Sequence, residues 1–165
     1  MRMAKIEFDV SQYTKKLDNL QKSMDSISKS ALYDAAGIVV DAIKTEINAL
    51  PALQENLRGT ADNSIDGATD AQRRGLLDGV GISHMEDDGR AINVKIGFDG
   101  CNATKTKKYK NGQPNAVIAR SIESGTTFRK KNRFVARAVK RSKPQAEASI
   151  KAAFDAAIKQ KMEEG

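Results

Sequence analysis

The residues with the most chemical promise are Glu123-Ser124-Gly125-Thr126-Thr127, a carboxylate beside hydroxyls. Such a set can be read as a general base next to a nucleophile. That chemistry needs a base oriented by a third group. No histidine stands nearby in sequence, and His84 falls in an expected turn. The reading that fits is a helix C-cap, with Glu123 bonding backbone or a neighbouring subunit. Asp87 and Asp88, in the run EDDG, are hard-cation ligands by type. Calcium loops, however, place oxygen ligands at alternating positions and close on a distal Glu. That pattern is absent, so a solvated hairpin turn is expected. The run GVGIS (79–83) has glycines but not the spacing that cradles phosphate, and reads as a bulged strand. No catalytic residue, cofactor site or metal ligand is expected.

The basic segments carry more force. Lys105, Lys107, Lys108 and Lys110 surround Tyr109, which suits phosphate contact with base stacking, or a solvated loop. Residues 129–143 hold eight basic side chains, among them Arg129, Lys130, Lys131 and Arg133. They can line a surface for passing DNA or pair with acidic patches on a partner subunit. Charge without base-edge readers means sequence-independent, salt-sensitive binding if DNA is the partner.

Composition narrows the classes. The 165 residues suit one domain, able to bury about two thirds of its unfolded surface. Aromatics are 5% with no Trp, so the core is aliphatic and Ala-rich. The charge of +7 is moderate: it suits an anionic partner such as nucleic acid, and also a basic domain that binds none. A single cysteine, Cys101, excludes an intrachain disulfide, and with the lone His84 excludes a Cys/His zinc site made by one chain. No signal peptide or apolar run long enough for a bilayer is visible, so a soluble protein made in the cytoplasm is expected.

The elements that must position these groups read as follows. Residues 5–10 (KIEFDV) alternate as a short strand. Tyr13, Leu17, Leu20, Met24 and Ile27 form a narrow helical stripe, suited to packing on the chain's own sheet or to an edge or intersubunit contact. Leu32, Ala35, Ala36, Val39, Val40, Ile43 and Ile47 form a broader one, stopped by Pro51. The pattern leaves open whether these are one helix or two, broken near residues 28–30. Residues 54–70 read as a loop, 71–74 as a helical turn, and 76–83 as an irregular strand. Residues 90–98 are the clearest strand, forming a hairpin with it. After a basic loop, Pro114 starts a helix that Gly125 ends in a left-handed cap. The last stripe runs to Met162, with Pro144 expected to kink or restart the helix. The result is an α+β domain over 1–165: a small, mainly antiparallel sheet packed by N-terminal helices and a long C-terminal helix, with loops 51–74 and 99–113.

Residues 122–139 (IESGTTFRKKNRFVARAV) resemble the signature of the small neck and tail-completion proteins of long-tailed phages and prophages, the family typified by the gene-ten product of phage HK-ninety-seven. That pattern is an acidic residue, one spacer, Gly-Thr, a short linker, then Pro-Phe-Leu and a long helix. Glu123, Gly125 and Thr126 match the first part; Phe134, Val135 and Ala138 match the second. Gly75-Leu76-Leu77 is similar to the family's Gly-x-Leu, and Val94-Lys95-Ile96-Gly97 to its strand ending in Ile-Gly. Arg133 replaces the usual proline, and Asp78 a basic residue. The resemblance extends from about residue 11 to 162. It implies a non-enzymatic virion protein, made in the bacterial host cytoplasm, that forms a ring, often a hexamer, at the head–tail junction. Its neighbours there are head-closure or connector and tail proteins, and genomic DNA passes through its channel. The alternatives are a tail terminator, whose fold is related, and a sequence-independent nucleic-acid-binding protein.

Overall fold

A computed structural model describes residues 11–55, 57–89 and 91–163. The expected strand at 5–10 lies outside them, as do the side chains of Tyr13, Leu17, Leu20 and Met162 from the expected stripes. The chain is α+β, with four helices and a broken antiparallel hairpin among the described residues.

Helix α1 (Ser11–Asn48) is one continuous helix of 38 residues. The serines near residue 28 do not break it; the Ser28 hydroxyl donates back to the Met24 carbonyl at 2.7 Å, as a helical serine can. Ala31, Ala35, Ala36, Val40, Ile43 and Ile47 recur at helical spacing and are buried. Leu50 tightens the last turn by donating to the Ile47 carbonyl, just before Pro51.

Helix α2 (Asp70–Gly79) corrects the expectation of one turn followed by a strand from residue 76. A capping box starts it: the Thr69 hydroxyl accepts the Gln72 amide, and the Gln72 side chain accepts the Thr69 amide. Leu76 is a helical core residue with no exposed surface. Gly75 lets this helix meet the next loop, since a Cβ there would collide with the Asn102 side chain. The preceding loop therefore ends at Thr69.

The sheet is smaller than expected. Strand β1 (Val80–Ile82) pairs with β4 (Ile96–Phe98), and β2 (Glu86–Asp87) with β3 (Ile92–Asn93), both antiparallel. Ser83 bridges the gap: its amide donates to the Lys95 carbonyl and its hydroxyl accepts the Lys95 amide. Asp87 and Asp88 close the turn by accepting the amides of Gly89 and Ala91. Ile92, Val94, Ile96 and Phe98 are half-buried and alternate with exposed residues.

Helix α3 (Asn115–Ser124) buries Ile118, Ala119 and Ile122. Helix α4 (Phe134–Glu163) runs through Pro144 without restarting. An internal proline costs about 3 kcal/mol. Packing on both sides of it offsets this: Ala138 and Ser142 before, and Ala146 after, are buried. α4 lies antiparallel to α1, and one cleft is lined by Ile38, Asp41, Ala42 and Thr45 on one side and Arg141, Ser142 and Gln145 on the other. Phe134 is fully buried where the helices meet the hairpin, its ring 6.0 Å from that of Phe98.

Candidate functional site

Glu123, Gly125, Thr126 and Phe134 together build the joint between α3 and α4. Glu123 ends α3 but does not cap it. A helix C-terminus leaves carbonyls unpaired, and a carboxylate can only accept. It serves the next helix instead: Oε2 accepts the Val135 amide at 2.8 Å and Oε1 the Ala136 amide at 3.2 Å. Two orphan donors of α4 are thereby satisfied, with a negative charge at the positive end of its dipole. Both oxygens of the candidate base are thus engaged by backbone. The Thr126 hydroxyl accepts the Phe128 amide at 3.2 Å.

Gly125 has φ 73 and ψ 168, a positive-φ extended conformation rather than the expected left-handed cap. A Cβ there would also lie 3.0 Å from the Lys131 backbone nitrogen and Cβ. The chain then turns tightly, with Thr126 and Arg129 exchanging backbone hydrogen bonds. Asn132 donates back to the Ile122 carbonyl, which seats Phe134 in the core.

Arg129 leaves the expected exposed basic set. It is 7% exposed and points inward. Nη1 donates to the Gly67 carbonyl at 2.7 Å, and Nη2 to Gln72 Oε1 at 3.2 Å. Ile65 and Lys130 add backbone bonds beside it, so the turn is strapped to the loop before α2. Burial pulls the guanidinium below its ordinary value, and the Asp66 carboxylate works against that. Arg137 and Arg141 are also engaged. They straddle Glu46 of α1, at 2.9 and 3.1 Å, while Arg137 also reaches Asn132. Lys130, Lys131 and Arg133 are exposed.

Lys105, Lys107, Lys108 and Lys110 are all exposed on a folded loop. Its ends are tied by Asn102 and Gln113, and its tip by Thr106 and Tyr109. Lys108 lies over the half-buried Tyr109 ring, 5.4 Å from its centroid, so the chain's own cation covers that face.

This loop, the loop before α2, α3 and the Thr126–Arg129 turn surround a groove of about 550 Å³. Leu57, Val117 and Phe128 line it, and they are 51%, 44% and 56% exposed. Arg58, Lys105, Lys107 and Lys108 supply its charge. Its carboxylate, Glu55, is occupied in accepting the Ala71 amide at the start of α2. The surface thus combines apolar anchors with cations.

Sequence reasoning missed Glu46, Gln72, Asn102 and Asn115, all buried polar groups that tie elements together. Glu46 had a signal: an acid on the apolar stripe, between Ile43 and Ile47, facing arginines spaced i, i+4. Gln72 had the Thr-x-x-Gln capping pattern. Among the described residues, no cluster of three or more His, Cys, Asp or Glu side chains could hold a metal ion, and no helix is long and apolar enough to cross a membrane. Set against known proteins, the chain matches no family model, no curated protein and no solved structure.

Proposed function

We propose that this chain is a non-catalytic structural subunit of a phage or prophage particle, assembling into a ring at the head–tail junction as a neck or tail-completion protein. The observation that carries this reading is the joint. Glu123, Gly125, Thr126 and Phe134, the residues of the family resemblance, are spent on holding α3, the turn and α4 in one geometry. A signature whose members all serve architecture suits a protein that works by presenting surfaces. The surfaces are the groove and the exposed Lys130, Lys131 and Arg133.

A second reading, sequence-independent binding of nucleic acid, has the exposed lysines of the Lys105–Lys110 loop in its favour. A salt titration of DNA binding, run beside light scattering, separates the two. The ring reading expects oligomers whose formation needs no DNA. Tight binding by an isolated monomer, weakening steeply with salt, supports the second reading and contradicts the first.

A further inference from the structure

We infer that the groove lined by Leu57, Val117 and Phe128 receives residues 5–10 (KIEFDV) of a second copy of the chain, joining subunits head to tail. This deepens the ring reading and rests on it. The groove offers two chemistries at once: apolar side chains left in water, and cations, Arg58, Lys105, Lys107 and Lys108, that outnumber its one carboxylate, Glu55. A phosphate backbone answers only the second. Residues 5–10 answer both, because Ile6, Phe8 and Val10 alternate with Glu7 and Asp9. In an extended segment these fall on opposite faces, one apolar and the other carrying Glu7 and Asp9 together with Lys5, which leaves it net negative.

Reach decides which copy supplies the segment. Ile6 stands five residues before Ser11, and five extended residues span at most about 18 Å. The groove lies at the other end of α1, where its wall residue Ile118 packs in one core with Ile43, Ile47 and Leu50. A helix of 38 residues is about 57 Å long. The segment therefore cannot enter its own groove, and a contact between two different patches is heterologous. Such contacts close into rings when the rotation allows and otherwise propagate.

The test uses full-length chains with one half of the contact disabled in each. Phe8→Asp spoils the segment. Lys107→Glu with Phe128→Ser spoils the groove, at residues exposed enough to leave the fold intact, which circular dichroism checks. Each variant alone is expected to sediment as a monomer. An equimolar mixture is expected to give a dimer and nothing larger, because only one good groove and one good segment remain. If both variants form the parent's rings, the docking is overturned while the ring reading stands. A parent chain that stays monomeric overturns both. A groove variant that loses binding to a duplex oligonucleotide yet assembles as the parent does overturns the docking in favour of a nucleic-acid surface.

Discussion

The Glu123 carboxylate accepts the Val135 amide at 2.8 Å, so the last turn of α3 caps the first turn of α4 across the Gly-Thr turn. This side chain joins the two helices directly, alongside the Asn132–Ile122 backbone bond and the buried Phe134. The bond replaces a local N-cap: Arg133, the residue before α4, has no acceptor side chain to offer.

Glu123→Ala is therefore expected to destabilise the fold by about 0.5–2 kcal/mol, the range of a lost N-cap. Glu123→Gln keeps one acceptor and is expected to lose about half as much. Urea denaturation followed by circular dichroism measures both. Equal losses would mean that the one acceptor glutamine keeps contributes nothing, and an unchanged Glu123→Gln would mean that charge and acceptor number are irrelevant there.

Gly125 is strained for any L-residue. Gly125→Ala is expected to cost about 1–3 kcal/mol, from the backbone conformation and from contact with Lys131. Asparagine rescues left-handed positions but not this one, because ψ is 168. Gly125→Asn is thus expected to melt no higher than Gly125→Ala. Recovery by asparagine would contradict the backbone geometry.

Glu46 is the centre of the α1–α4 clasp. Its side chain is 11% exposed, whereas Arg137 and Arg141 are about half exposed. Water screens the arginines, so the loss from Glu46→Ala is expected at about 1–3 kcal/mol, below that of a fully buried pair. Arg137→Ala in the Glu46→Ala background is expected to cost little more. A double-mutant cycle reads this; additive losses would show that the clasp carries no coupling.

Arg129→Lys separates structure from surface charge. It keeps the positive charge but loses the fork that reaches Gly67 and Gln72 together. The expected loss is about 1–3 kcal/mol, with assembly unchanged at temperatures where the variant stays folded. The same exchange at exposed Arg133 is expected to leave stability within about 0.5 kcal/mol. Thermal melts of the two variants compare them; equal behaviour would contradict the buried strap.

Much of the fold was legible because long apolar stripes leave few alternatives. Ile43 and Ile47 on α1, and Ala138 and Ala146 on α4, declare helices by period alone. The alternation of Ile92, Val94, Ile96 and Phe98 likewise declared the hairpin face. Only the first turn of helix α2, at 71–74, was legible; Gly75, Gly79 and Gly81 resemble strand punctuation and hid the rest, and packing against Asn102 shows why Gly75 suits a helix. At the joint, the importance of Glu123 was visible but its partner was not. Its bond spans 12 residues and depends on how the turn folds back. Arg129 was hidden for a related reason. A run of charges gives no sign that one member turns inward to the Gly67 carbonyl, 62 residues away.

The ring proposed for this chain is closed, each subunit meeting two neighbours. Electron microscopy of the purified full-length protein, with mass measured by light scattering, tests it most directly. Closed rings of one diameter are expected, with a mass that is a whole multiple of 17.9 kDa. A particle that keeps the monomer mass as concentration rises to about 1 mM, the weak limit of specific association, would contradict it.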